Sequence, residues 1–167
     1  MNNWYRFRLG GLNSHLILTL MKDFENFGDI NKKDLIELNY SKETIDSISS
    51  LLEIDLEDEK EKYKRNKVRI LSYNSDEYPR MLKEISNPPP FLYVKGNGDF
   101  SNKSLAVVGT RKISSYGKLA CDKIVSGFNN KGITIVSGLA LGVDTYAHEI
   151  ALKGNSSVIG VVAQGLD

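Results

Sequence analysis

The residues best suited to chemistry in this sequence lie in three glycine-containing turns, each of which follows an apolar run. The turns are contained in AVVGTRKISSYG (106–117), SGLALGVD (137–144) and AQGLD (163–167). Two of them lead directly into segments with helical periodicity. Because helix N-termini present unpaired N–H donors and a partial positive charge, such turns are suited to oxyanions. The sequence therefore predicts a site for a phosphate-type ligand.

The first turn departs from a dinucleotide-binding fingerprint. The GxGxxG pattern would place a second glycine where Arg111 stands, and that glycine lets the backbone approach a pyrophosphate closely. A guanidinium obstructs this approach, but it can hold a phosphate through two parallel hydrogen bonds. Thr110 and Ser114 add hydroxyl donors, and Tyr116 adds a ring on which a base could stack. Taken singly, Ser114 could equally cap the helix and Tyr116 pack in a core. Arg111 at the end of a buried strand favours the anion site.

The second turn contains Gly138 and Gly142, which bracket a tight backbone approach, and places Asp144 near a helix start. Asp144 and His148 lie four residues apart on one helical face, so a metal site or an acid–base pair is conceivable. A capping carboxylate beside a packed histidine is the favoured interpretation, because two ligands are too few for a zinc site. No nucleophile stands at the spacing of a catalytic triad. We expect no catalytic residue, no metal and no cofactor, and we interpret Cys121 as a packed small residue.

These turns require strands and helices to position them, and the segment from residue 104 onward predicts a β-α-β-α-β order. The apolar runs 104–109, 133–138 and 157–163 predict buried strands, and 115–130 and 143–153 predict helices. The first helix is expected to bury Leu119, Ala120, Ile124, Val125 and Phe128, and the second Val143, Ala147, Ile150 and Ala151. Such a pattern indicates a parallel sheet with right-handed crossovers, which is half of a doubly wound fold. Three strands leave one flank of that sheet unpaired. We therefore expect a fragment whose sheet is completed by further residues or by a partner.

The preceding residues have a different organisation. Residues 1–67 predict a small helical domain, with helices over 12–24, 32–38 and from Ser41, and a charged helix over 57–67. Asn13 or Ser14 is suited to cap the first of these helices. Residues 68–103 contain two short strands, 68–73 and 91–94, and all four prolines, and we assign them to a connector that extends the α/β domain. The predicted fold class is thus α/β: a partial Rossmann-like, mainly parallel sheet over 104–167, preceded by a small all-helical domain.

Composition narrows the class of protein. The 167 residues carry a net charge of +1, and the single cysteine excludes an intramolecular disulfide. Residues 1–67 hold eleven basic and thirteen acidic side chains, whereas 68–167 hold eleven and eight. No apolar run approaches the roughly 18 residues of a membrane span, and the start MNNWYRFRLGG lacks the layout of a secretory signal. Together with the single cysteine, these features lead us to expect a cytoplasmic protein. Attraction for phosphates then depends on a local patch.

Four stretches in order carry a resemblance to the DNA-processing protein A (DprA, also called Smf) family. They are DEYPRMLKEISNPPPFLYVKGN (76–97), LAVVGTRKISSYG (105–117), IVSGLALGVDTYAHEIAL (135–152) and VIGVVAQGLD (158–167). The resemblance implies a Rossmann-like domain with a positively charged pocket at the strand ends and no catalytic activity. For residues 1–67 it implies a small helical domain that looks like SAM or helix-hairpin-helix folds. It also implies binding of single-stranded DNA, protection of incoming strands in natural transformation, loading of the RecA recombinase, and a homodimer at full length.

The same resemblance implies particular site residues. Arg111 matches the arginine of the family's G-[ST]-R turn, and Ser137, Gly138, Gly142 and Asp144 match its SGxAxGxD turn. Gln164 departs from the small residue that the family usually has there, which puts the floor of the pocket in doubt. The complete predicted DNA- or phosphate-binding set is Gly109, Thr110, Arg111, Ser114, Tyr116, Gly117, Ser137, Gly138, Gly142, Asp144 and Gly165.

Two other functions stay open at this point. The SGLALGVDTYAHEIA stretch also resembles the lysine-decarboxylase-like (LOG) nucleoside phosphoribohydrolases, which act on nucleotides. Their PGGxGT stretch would lie beyond Asp167, and they do not usually carry the DEYP…NPPP…LYVKG stretch, which favours the DNA-binding interpretation. A non-catalytic fragment whose acidic helical module binds a partner is the third possibility.

Overall fold

A computed structural model describes residues 2–98 and 100–166 and divides the chain into two compact units. The first unit ends at Gly96 and the second begins at Asn97. Within the described residues, no helix is long and apolar enough to cross a membrane.

The first unit consists of short helices and one two-stranded sheet. Its helices are α1 (Tyr5–Leu9), α2 (Ser14–Asp23), α3 (Lys32–Glu37), α4 (Lys42–Leu51), α5 (Glu57–Arg65) and α6 (Arg80–Lys83), with a 3-10 turn at Phe27–Asp29. Asn13, Asn31 and Ser41 cap α2, α3 and α4 by accepting a backbone N–H of the first turn. The helix starts expected at Asn13 or Ser14 and at Ser41 are therefore confirmed, whereas α1 and α6 were not predicted.

The core of this unit is aromatic at its N-terminal end. Trp4 is buried, and its ring meets the rings of Phe7 and Phe27 edge-on, with centroid distances of 6.0 and 5.6 Å. Arg6 joins α1 to the end of α4, because its Nε donates to the Ile54 carbonyl oxygen at 2.7 Å. The edge-on contacts of Trp4 with Phe7 and Phe27 add to the stabilisation that apolar burial provides.

Strands β1 (Val68–Ser72) and β2 (Phe91–Lys95) pair antiparallel, with Val68 opposite Lys95. They belong to the helical unit, because Phe91 lies in the same core cluster and the Tyr93 hydroxyl lies 2.8 Å from the Tyr5 hydroxyl. The division of this structure thus falls at Gly96, whereas the sequence placed these strands with the α/β segment. The physical reason is that their apolar face packs on the helical core. The assignment of residues 1–67, 68–103 and 104–167 to three domains stays a prediction.

The second unit has the expected β-α-β-α-β order. It runs through β3 (Lys103–Ala106), α7 (Ser115–Ser126), β4 (Ile133–Ser137), α8 (Val143–Lys153) and β5 (Val158–Gly160). The three strands are parallel, in the order β3–β4–β5, with Leu105 beside Ile135 and Ile135 beside Val158. This confirms the predicted α/β class with a parallel sheet.

Two details of this unit correct the sequence analysis. Only the central strand β4 is largely buried, whereas β3 is mostly exposed, because it lies at the edge of the sheet. Leu119 and Ile124 of α7 are 69% and 54% exposed, although both were expected to point inward. The face of α7 that enters the core carries Val125, as expected, together with Cys121, which was interpreted as a packed residue. The buried side of α7 is therefore offset from the predicted one.

Candidate functional site

Two turns at the carboxyl ends of β3 and β4 pack directly against each other. The first turn comprises residues 109–114 and the second 138–142. The Val143 N–H, at the start of α8, donates to the Thr110 carbonyl oxygen at 3.1 Å. Gly142 has a φ of +91°, and a Cβ there would lie 2.2 Å from the Thr110 oxygen and 2.6 Å from the Arg111 carbonyl carbon. Only glycine satisfies both conditions.

Asp144 ties the two turns together through its carboxylate. Oδ1 accepts the Gly109 N–H at 3.3 Å and Oδ2 accepts the Gly138 N–H at 3.1 Å, and the residue is only 6% exposed. It is not a helix cap, because the N-cap residue of α8 is Gly142 and no described side chain caps this helix. The favoured sequence interpretation of a capping carboxylate is thus wrong. The Asp144 carboxylate accepts N–H groups just beyond the ends of β3 and β4, not the free N–H groups in the first turn of α8.

Ser137 and Gly109 also have structural contacts in this region. The buried Ser137 hydroxyl donates to the Val107 carbonyl oxygen at 2.6 Å, which joins the ends of β4 and β3. Gly109 lies against Val143, and a Cβ at Gly109 would come within 2.7 Å of the valine side chain. These residues hold the shape of the turns.

The start of α7 supplies the exposed part of the site. Ser114 caps this helix, since its Oγ accepts the Gly117 N–H at 3.1 Å. The Thr110 hydroxyl oxygen accepts the Lys112 N–H at 3.2 Å. Tyr116 is 80% exposed, so the alternative that it packs in a core is wrong. The capping interpretation of Ser114 is confirmed, although capping leaves its hydroxyl proton free to donate.

Arg111 is exposed at the tip of the first turn, and within the described residues no carboxylate pairs with it. Lys112 beside it is also exposed. Lys118, one turn into α7, lies with its ammonium 5.7 Å from the centre of the Tyr146 ring. Exposed cations beside a helix N-terminus favour the approach of an anion, whereas the Gly117 N–H is already used by the cap.

His148, one helical turn after Asp144, is 5% exposed. Neither ring nitrogen has a hydrogen-bond partner in the described part of the chain, and burial lowers the pKa of His148 below its ordinary value. The two side chains therefore do not form a hydrogen-bonded acid–base pair. Across the described residues no cluster of three potential metal ligands occurs.

The remaining predicted residue, Gly165, is exposed five positions beyond the end of β5. Among the described residues no hydrogen bond joins it to the first two turns. Asp167, the last residue of the third turn, lies outside the described residues. The structure thus brings together the predicted residues of the first two turns and does not connect the third to them.

A contact that the sequence could not indicate is the bridge from Gly109 to Asp144, 35 residues apart. The nearby apolar cleft of about 200 Å³, lined mainly by Val107, Val108, Ala120 and Ile124, was also missed. Local spacing carries no signal for either, because both arise from packing between non-adjacent segments.

A parallel sheet of this order, with helices connecting its strands and two packed turns at their carboxyl ends, defines a Rossmann-like α/β protein. The family model described as DNA recombination-mediator protein A matches residues 69–167. The chain belongs to this family.

Known relatives agree with that assignment. The chain is 32% identical over 165 residues to the DNA processing protein DprA of Streptococcus pneumoniae (strain R6), which covers 98% of this chain and 57% of the relative. It is 35% identical over 105 residues to DprA of Bacillus subtilis (strain 168), with 62% of this chain and 35% of the relative covered. It is 37% identical over 112 residues to protein Smf of Synechocystis sp., with 64% and 28% covered.

A solved structure gives the same result. The X-ray structure of DprA from Streptococcus pneumoniae matches with a TM-score of 0.74 at 29% identity, covering 99% of this chain and 59% of that one. The sequence-based assignments to the family and to a Rossmann-like fold are confirmed. The chain spans between about a quarter and somewhat over half of the length of these relatives.

Proposed function

We propose that this chain forms part of a recombination mediator that binds single-stranded DNA. The observation that carries the proposal is Arg111, an exposed guanidinium without a carboxylate partner in the described residues, at the tip of a turn whose backbone is fixed on both sides. A fixed backbone lowers the entropic cost of holding a phosphate, and the planar guanidinium suits its geometry.

A DNA backbone suits this arrangement better than a dinucleotide cofactor. The second turn has no space for a pyrophosphate beside Gly142, because the backbone of Thr110 and Arg111 already occupies that position. Ligand groups therefore meet the outer side of the first turn, where Arg111, Lys112 and Tyr116 are exposed. An exposed ring beside cations is a common feature of surfaces that bind single strands without sequence preference.

The wider role follows from family membership. Matching relatives are called DNA processing proteins, and the family is described as a DNA recombination mediator. We infer that the full-length protein works without catalysis in the cytoplasm, protects incoming DNA during transformation, delivers it to the RecA recombinase and acts as a homodimer. Family membership favours this role over a nucleotide-hydrolysing enzyme of the LOG class.

The test is the binding of a fluorescently labelled single-stranded oligonucleotide by the full-length protein, measured by anisotropy across a salt series. Arg111→Ala should weaken binding about 10- to 100-fold, since a hydrogen bond to a charged group contributes about 1.5–3 kcal/mol. It should also reduce the slope of log K against log salt by about 0.7, the share of one phosphate contact on a single strand.

The matched control is Arg8→Ala, which removes the same charge from an exposed position in the helical unit. This variant should bind like the unaltered protein. Equal affinities for the two variants at every salt concentration would show that the first turn does not contact DNA.

A further inference from the structure

Asp144 is a negative charge placed where ligands of parallel sheets usually bind. Its two carboxylate oxygens accept the N–H groups of Gly109 and Gly138, which stand immediately beyond the ends of the neighbouring strands β3 and β4. In open α/β sheets, ligands bind in the crevice outside the carboxyl ends of the strands. The carboxylate thus takes donors that a phosphate would otherwise use.

Nothing in the described surroundings neutralises this charge by ion pairing. Among the residues that the structure describes, no lysine or arginine forms a salt bridge with Asp144. His148, the nearest titratable side chain on the same helical face, is buried and without a hydrogen-bond partner in the described residues. The carboxylate also lies close to the Gly138 backbone, since a Cβ added at Gly138 would stand 3.0 Å from Oδ2.

We propose that Asp144 is a specificity-determining residue that excludes free phosphate-type anions from the strand-end amides. Like charges repel strongly in a partly buried crevice, so a phosphate cannot displace or share these two donors. Binding is then confined to the Arg111 side of the first turn. A single phosphate gains little there, whereas a polymer gains by making several such contacts at once.

The role rests on the proposed function, since it concerns how the DNA site rejects small competing anions. The sequence resemblance placed Asp144 among the residues that bind DNA or phosphate, and the proposal revises that role. The carboxylate does not contact the DNA phosphate; it repels phosphate from the inner crevice and thereby selects for a polymeric ligand.

The test uses inorganic phosphate as the probe and Asp144→Asn as the variant. Asparagine keeps an acceptor for one of the two N–H groups, removes the charge and adds N–H donors. In isothermal titration calorimetry, the variant should bind phosphate at least about tenfold more tightly than the unaltered protein, a factor that corresponds to about 1.4 kcal/mol. Glu149→Gln makes the same charge change at an exposed position of α8 and should leave phosphate binding unchanged. Equal phosphate affinities for the two variants would overturn the role.

A measurement on the unaltered protein covers the case in which Asp144→Asn does not fold. In amide NMR spectra recorded during a phosphate titration, the Gly109 and Gly138 resonances should not move. Movement of either resonance would overturn the role. Neither experiment uses DNA, so the two hypotheses fail independently. Failure of the proposed DNA-binding function would show as an oligonucleotide affinity that Arg111→Ala leaves unchanged.

Discussion

The packed contact between the two turns makes Gly142→Ala the sharpest test of the described site. The alanine Cβ would stand 2.2 Å from the Thr110 carbonyl oxygen, where ordinary contact begins at about 3.4 Å, and the obstructing atoms belong to the backbone. No side-chain rotation can relieve this overlap. The first turn would have to move by about 1 Å, and Arg111 would move with it.

The expected cost has two parts. Holding a non-glycine residue at a φ of +91° costs about 1–3 kcal/mol, and forcing extra volume into a packed site costs about 1–3 kcal/mol more. For a unit of this size each kcal/mol lowers the melting temperature by about 4–8 °C. Thermal unfolding followed by far-ultraviolet circular dichroism should therefore shift by at least about 10 °C. Oligonucleotide affinity at a temperature where the variant is folded should also fall.

Gly96→Ala separates the two contributions. Gly96 has a φ of +97°, close to that of Gly142, but nothing lies within 4 Å of its added Cβ. It carries the backbone strain without the overlap, so it should lose less stability and keep its DNA affinity. If both variants unfolded at the same temperature and bound DNA equally, the turns would not be in the contact described.

Two smaller effects follow from other contacts. Ser114→Ala should destabilise the second unit by about 1 kcal/mol in urea unfolding, because the Gly117 N–H loses its acceptor. Ser115→Ala removes a neighbouring hydroxyl that does not cap the helix and should change little. Buried His148 has a folded-state pKa below its unfolded value, so the unfolded chain binds more protons and stability should fall as the pH drops below about 6.5, with no effect above it. His148→Leu should reduce the loss of stability between pH 7.5 and pH 5; an identical loss in variant and unaltered protein would contradict the burial of a neutral ring.

Elements with strong local signals were predictable from the sequence. The capping residues Asn13, Ser41 and Ser114 precede apolar positions at helical spacing, and each begins a helix at the expected place. The strand order of the second unit followed from alternating apolar runs and helices. In these cases the local pattern and the tertiary packing favour the same structure.

Contacts between distant segments were not predictable in the same way. Composition predicted β1 and β2 as two separate strands but did not indicate that they pair with each other. Their position beside Tyr5 depends on packing against the helical core. The role of Asp144 was misjudged because a carboxylate near a helix start is usually a cap. Leu119 and Ile124 were misplaced because helical period defines an apolar face but not how the neighbouring helix is rotated against it.

Trp4, packed against Phe7 and Phe27, is the single tryptophan of the sequence. Its indole fluorescence therefore reports on the environment of the helical unit alone, whereas circular dichroism records helices and strands of both units. A comparison of the two optical signals during denaturation distinguishes cooperative from stepwise unfolding without any label, since two units that melt together must give coincident transitions. The fluorescence of Trp4 thus measures, without an added label, whether the two units unfold in one transition or in two.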